Sequence, residues 1–352
     1  MLYPVFGLPG PLTDWCCQAM AKFLLAQGRP AQIVLLDTVE DLAVRLMEGH
    51  GSLIHLSHRP EPSLLSALRR AAVPIFVAAE SPRQSFEFRI AAGGLDRLAS
   101  VREVLADLAA LQDMPRQQSV LVVSRTNVLD EPAMTLATMA RHLGCTDSVG
   151  GAAEMASPEC LASLMSPVPS RVAGTPLDSA KPVTVPPRDP VADALQGMED
   201  ALTEEGQSRI LIDPEFFIVT ATGQAPSSTP LDATGRARGL VHGPYVCLAR
   251  GDWIARCVHH YSEDLASASF VIDIVSFASG SLQELARSSF KIPSSSGLVE
   301  TTLQFRVESS RSPLEVRLFA ERAIFNGEIK LGPVIFSRTD SSRSEAYPLK
   351  SS

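Results

Sequence analysis

The sequence predicts two domains of unlike class, a doubly wound parallel α/β sheet followed by an all-β sandwich of jelly-roll type. Three observations carry this expectation. From residue 1 to 145, short apolar runs alternate with longer segments of helical period, the rhythm of βαβ units in a parallel sheet. From 146 to 207 the chain turns to Pro, Ser, Ala and Gly. From 208 to 340 the helical period disappears, and β-rich runs are parted by Gly, Ser, Pro and Asn. With 352 residues, 45% of them apolar, there is enough material for a core in each domain.

In the first domain, "LYPVFGL", "AQIVLLD", "SLIHLS", "VPIFVAA" and "SVLVVSR" read as strands, because they are almost continuously hydrophobic, as strands buried on both faces are. The segments "TDWCCQAMAKFLLAQG", "VEDLAVRLMEG", "EPSLLSALRRAA", "ASVREVLADLAALQDM" and "DEPAMTLATMARHLG" read as helices, and Gly28 and Gly144 close two of them. The stretch 146–207 is expected to be a Pro/Ser-rich linker with one or two helices, around "SPECLASLM" and "VADALQGMEDALTEE"; the second would pack back on the first domain or bridge to the next. Eight runs from "SRILIDPEFFIV" to "GEIKLGPVIFSR" supply the strands of the sandwich, and 341–352 reads as a flexible tail.

Composition narrows the function. The net charge of −8 comes from dispersed carboxylates and argues against a nucleic-acid partner. The six cysteines form no C-x-x-C pair and have no histidine at zinc-ligand spacing, so free thiols and no metal are expected. No apolar run approaches the roughly 20 residues that span a bilayer. The N-terminus lacks the positive region of a signal peptide, and a cytoplasmic location follows as the expectation.

The stretch "VFGLPGPLTDW" has the strand, turn and helix layout that cradles phosphate on backbone N–H groups, but the lysine of such loops is missing. It resembles the sulfotransferase branch of the P-loop fold, whose loop has the form G-x-P-R-S-G-T-T-W; Gly7, Pro9, Thr13 and Trp15 match it. "IFVAAESPRQSFEFR" is similar to a second motif of that family, with Pro82 and Arg83 in place, and "VLVVSRTNVLDEPAMTLATMARHLG" is similar to a third. The resemblance covers roughly residues 1 to 145 and implies, in an intact member, a donor site for 3′-phosphoadenosine 5′-phosphosulfate; the ligand-loop candidates here are Gly7, Pro9, Gly10, Thr13, Asp14 and Arg83. The departures fall on the residues that would bind the donor. Gly10, Pro11, Leu12 and Asp14 stand where basic and hydroxyl residues are expected, and Glu80 stands where an arginine would hold the 3′-phosphate. Proline removes a backbone donor, and a carboxylate near a helix N-terminus takes the place that favours phosphate. Two readings of the loop stay open. One is a tight turn capping a helix through Thr13 or Asp14; the other is a remodelled site for a different ligand at the same sheet edge.

In the second domain, "GLVHGPYVCLARGDWIARCVHHYSED" resembles a stretch of bacterial β-sandwich modules found beside glycosyltransferases and other polysaccharide-biosynthesis proteins, and the resemblance extends over about 210 to 338. It implies a glycan, or such a biosynthetic protein, as partner. Tyr245 and Trp253 are the glycan-binding candidates, because an aromatic ring offers a flat apolar face to a sugar; the alternative for both is a place in the core. His50, His55 and His58 cluster about one strand and are weak candidates for a general base. Successive side chains of a strand point to opposite faces, so His259 and His260 cannot share a metal.

The expected function is a non-catalytic, carbohydrate-associated protein with a degenerate sulfotransferase-like domain and a glycan-binding or assembly sandwich, working in bacterial surface-polysaccharide production and needing no cofactor. The alternatives are an active sulfotransferase acting on a glycan, which would use 3′-phosphoadenosine 5′-phosphosulfate, and a structural adaptor with protein partners only.

Overall fold

The computed structural model describes residues 1–49, 51–112, 114, 120–165, 189–203, 209–226, 230–278, 280–293 and 297–339. His50, the linker stretches 166–188 and 204–207 and the 341–352 tail of the sequence analysis therefore lie outside the described residues. The chain divides into two units, drawn from Met1–Ser100 with Ala110–Val185 and from Val101–Ala109 with Pro186–Ser344.

The first unit runs β1 (Leu2–Gly7), α1 (Pro11–Ala26), β2 (Ala31–Leu35), α2 (Val39–Met47), β3 (Ser52–Ser57), α3 (Pro62–Arg70), β4 (Ile75–Ala79), α4 (Pro82–Ala92), α5 (Arg97–Gln112), β5 (Val120–Ser124), α6 (Arg125–Asp130), α7 (Pro132–His142), a 3-10 segment (Thr146–Ala156) and α8 (Pro158–Met165). Its five strands are all parallel, in the order β2-β3-β1-β4-β5. The apolar runs form central strands, with Val5, Phe6, Ile54 and Phe76 buried. Trp15, Met20 and Phe23 of α1 join Leu136 and Met139 of α7 in one core cluster. Ala152, Met155 and Leu164 belong to the same cluster, so 146–165 is packed helix rather than open linker. Helix α4 was not among the helices read from the sequence, and Val101–Ala109 of α5 groups with the second unit.

The second unit continues with α9 (Pro190–Thr203), β6 (Arg209–Ile212), β7 (Ile218–Val219), β8 (Leu231–Asp232), β9 (Arg238–Val246), β10 (Gly251–Tyr261), β11 (Ser269–Ala278), β12 (Ser281–Lys291), β13 (Gly297–Val307), β14 (Leu314–Ala320) and β15 (Glu328–Arg338). Helix α9 packs on β6, within this unit. One antiparallel sheet has the order β13-β10-β15-β6, with β8 paired to β15, and the other has the order β12-β11-β14-β9-β7. Alternation fixes their inner faces. Trp253, Ala255, Cys257, His259 and Tyr261 of β10 are buried, as are Phe270, Ile272 and Ile274 of β11. Tyr261 and Phe270 meet across the core, with ring centroids 5.3 Å apart. A parallel α/β sheet followed by antiparallel β-sheets is thus the architecture that the sequence predicts.

Candidate functional site

In the parallel sheet the chain leaves β1 toward β2 and β4 toward β5, which puts the switch point, where such sheets bind ligands, between β1 and β4. The loop after β1 leads there into α1, whose first N–H groups need acceptors. Thr38, Ser81 and Ser124 cap α2, α4 and α6 with their own side chains. The N-cap of α1 is Gly10, which has none to give.

The acceptor comes instead from the end of β4. Glu80 Oε2 accepts the Leu12 N–H at 2.8 Å, and Glu80 Oε1 accepts the Ser81 N–H at 3.2 Å and Arg125 Nη2 at 3.0 Å. Arg125 also donates through Nη1 to the Leu164 carbonyl at 2.5 Å. Glu80 is 2% exposed. A Cβ at position 10 would lie 2.6 Å from Glu80 Oε2, so glycine is what lets the carboxylate come this close. Burial pushes the Glu80 carboxyl up, and Arg125 with the N–H groups of Leu12 and Ser81 holds it back. The positive end of α1 therefore already holds an anion, and the anion is a side chain of the protein.

This corrects the capping roles expected of Thr13 and Asp14. The Thr13 hydroxyl donates to the Leu8 carbonyl at 2.7 Å and so closes the turn. Asp14 makes no cap bond and stands exposed, and the counter-charge expected of it is supplied by Glu80. Gly7 and Pro9 are buried. His58 donates through Nδ1 to the Gly7 carbonyl at 2.6 Å and so braces the turn from β3. His55 is fully buried, with its ring edge-on to Phe6 and Nε2 on the Leu36 carbonyl at 2.7 Å. Burial lowers its pKa, so His55 is a neutral core residue and not a base at a surface. Arg83 is exposed on the first turn of α4. A cleft of about 450 Å³ opens beside α1, lined by Asp14, Trp15, Phe88, Glu159 and Cys160 among others. Two carboxylates face it, and no lysine or arginine among the described residues lines it, which is the wrong charge for a phosphosulfate donor.

In the sandwich, Trp253 is 1% exposed and its indole N–H donates to the Ala249 carbonyl at 2.8 Å. That removes it as a sugar-stacking platform, because neither ring face reaches solvent. Tyr245 is half-buried, in the left-handed region at φ 61, a costly conformation for a residue with a Cβ. Its hydroxyl accepts from His242 Nδ1 at 2.5 Å and donates to Glu315 at 3.3 Å. Arg102 lies over the ring, 5.8 Å from the centroid, held there by the Pro244 and Phe216 carbonyls. Ring and hydroxyl are thus both engaged inside the unit. Tyr245→Phe is expected to lower the stability of the sandwich by about 1 kcal/mol, ~3 °C in melting temperature, by leaving Glu315 short of a donor. A calorimetric scan with no shift would show that the hydroxyl network contributes nothing.

Beside it, Arg317 forms a bidentate pair with the buried Asp273 at 2.8 and 2.7 Å. His259 is buried and His260 exposed, as strand alternation requires. The six cysteines are in no disulfide, and burial raises the Cys17 and Cys257 thiols to about 12. No helix among the described residues is long and apolar enough to cross a membrane.

No family model matches the sequence, and no curated protein does. Among solved structures, the chain is similar to a mouse sulfotransferase complexed with PAP, at 12% identity and a TM-score of 0.33, covering 44% of this chain and 64% of that one. The chain thus spans less than two thirds of that enzyme's length. A putative sugar binding protein from Bacteroides thetaiotaomicron matches at 9% identity and a TM-score of 0.21, over 29% of this chain and 66% of that one. A family 16 carbohydrate binding module matches at 10% identity and a TM-score of 0.22, over 31% and 79%. Likenesses this slight fix neither ligand nor activity.

Sequence reasoning read Glu80 as a repulsive substitution and passed over Arg125. The signal that joins them is register. Ala79 and Ser124 are partners in the β4–β5 ladder, so the residues that follow them leave the sheet side by side.

Proposed function

We propose that this protein is a non-catalytic, carbohydrate-associated protein of bacterial surface-polysaccharide production, in which the α/β unit is a scaffold and the sandwich makes the glycan or assembly contact. The observation that carries the non-catalytic part is the Glu80–Arg125 pair, which fills the place at the start of α1 where a donor phosphate would sit. An incoming phosphate would have to displace a buried carboxylate already paired with an arginine, in front of a cleft lined by Asp14 and Glu159. The carbohydrate part is supported by the sequence resemblance of the sandwich. With Trp253 in the core, an aromatic ring among the described residues that is open to a sugar is Phe325, 96% exposed in the turn between β14 and β15.

Isothermal titration of the full chain with 3′-phosphoadenosine 5′-phosphate tests the first part. No saturable heat is expected up to about 1 mM, where binding contributes only about 4 kcal/mol. A dissociation constant in the low micromolar range would overturn the reading in favour of an active sulfotransferase. An array of bacterial polysaccharide fragments tests the second, with Phe325→Ala as the comparison. Binding that the variant loses supports the glycan contact, and an array without hits leaves the protein adaptor in its place.

A further inference from the structure

The sandwich core holds an imidazole out of keeping with its surroundings. His259 is 4% exposed, and neither ring nitrogen has a hydrogen-bond partner. The ring lines a narrow space of about 10 Å³ between the sheets, walled by Phe217, Val241, Ile272, Val316 and Leu318 on one side and Leu331 and Val334 on the other. That volume admits one water at most, and the apolar walls give such a water only the imidazole to bond. A neutral ring can stay there at the cost of its unmade hydrogen bonds, but a charged one has neither a counter-ion nor a solvent.

The titratable neighbours offer no relief. On its own strand stand Cys257, His260 and Tyr261; the Tyr261 ring lies 6.1 Å away, edge to face, with its hydroxyl buried and also without a partner. From the facing side the lining is apolar, Phe217 with aliphatic residues, since Asp273, Glu315 and Arg317 alternate with the inward residues and form their pairs on the other face. Burial takes the imidazole down to about 4, with a smaller push from His260.

The ladder beside this ring is broken. Cys257 pairs with Val334 and His259 with Leu331, so Val258 opposes both Gly332 and Pro333 in a β-bulge. Pro333 has no N–H to give the ladder. A Cβ at Gly332 would lie 2.6 Å from the Val258 carbonyl, so only glycine allows the strands this approach. Leu331 and Gly332 wall the void on one side and line an open groove of about 370 Å³ on the other. Asp213, Glu215, His260 and Lys330 line that groove, so its polar groups stand one strand away from the buried ring.

We propose that His259 is an acid-sensitive latch of the sandwich: on protonation the ring cannot remain in the closed core, and β10 parts from β15 at the bulge so that the groove admits water to it. The sign follows from linkage. The open state takes up the proton at the ordinary value of 6.5 and the closed state near 4, so the closed form has its full stability above 6.5 and loses it as the pH falls toward 4. Over that interval the opening constant rises by up to about 300-fold. The inference is independent of the carbohydrate reading.

Hydrogen exchange of the full chain between pH 7 and 4, corrected for the intrinsic pH dependence of exchange, tests it. Protection of the amides around Val258 and Leu331 is expected to fall on the order of 100-fold in the wild type and to stay flat in His259→Leu, which fills the void without titrating. His260→Gln, altered on the exposed face, is expected to behave as the wild type. Equal acid profiles for the wild type and His259→Leu would overturn the proposal. If His259→Leu does not fold, imidazole NMR of the wild type decides. A His259 ring that protonates near 6.5 while the β10 amides remain protected overturns the latch, and one that stays neutral until those amides open supports it.

Discussion

Glu80→Ala is expected to cost the α/β unit about 2–4 kcal/mol and to turn its sheet edge into an anion site. The loss has two sources. The buried Leu12 N–H loses its acceptor, worth about 1–3 kcal/mol, and Arg125 is left without its carboxylate in a place where only 22% of its side chain is exposed. A buried pair adds little over a well-packed apolar substitute, yet breaking it from one side is costly because a charge is stranded. The vacated space keeps the arginine and the helix end, both of which favour a small anion. Formate or sulfate at about 0.1 M is therefore expected to restore a measurable part of the variant's melting temperature and to leave the wild type unchanged. Denaturant titrations with and without formate check both halves of the expectation. A variant as stable as the wild type would mean that Glu80 caps nothing, and a wild type that gains equally from formate would mean that the site is open already.

The second large effect is expected in the sandwich, where Trp253→Ala should cost about 3–5 kcal/mol. Trp253 is among the largest fully buried side chains, and its N–H satisfies the Ala249 carbonyl in the loop that leads into β10. Its ladder partners are Phe305 on β13 and Arg338 on β15, so the cavity would open in the middle of one sheet with neighbours on both sides. Trp253→Phe keeps most of the apolar contact and should lose about 1 kcal/mol for the indole bond, plus a packing term for the smaller ring. Circular dichroism melts order the three proteins without relying on the tryptophan itself. A Trp253→Ala protein of unchanged stability but weakened sugar binding would return this ring to the surface.

Much of the architecture was legible in the sequence because burial on two faces and burial on one face leave different marks. The strands "SLIHLS" and "VPIFVAA" are mostly apolar and buried along nearly their whole length, whereas β10 alternates, with Trp253, Ala255, Cys257, His259 and Tyr261 inward. That alternation already pointed Trp253 into the core. Helix α4 was hidden because "PRQSFEFRIAA" mixes charged and aromatic residues without a clean apolar stripe, and its polar start drew attention as a motif. The grouping of Val101–Ala109 with the second unit could not be read at all, since an apolar face says that a helix is buried and not against what. At the candidate site, the departure from the residues that the resemblance implies was plain from Gly10 to Asp14. What replaced them was not, because Glu80 and Arg125 are 45 positions apart and meet only once β4 and β5 are known to be neighbours in a particular register.

The carboxylate at the start of α1 also bears on how the protein is maintained. A loop that depends on a diffusible anion is more stable when loaded than when empty, and its abundance then follows the supply of that anion by mass action. Glu80 is covalently part of the chain, so its effective concentration at α1 is constant. On the scaffold reading proposed above, the stability of the α/β unit is expected not to follow the supply of any such anion.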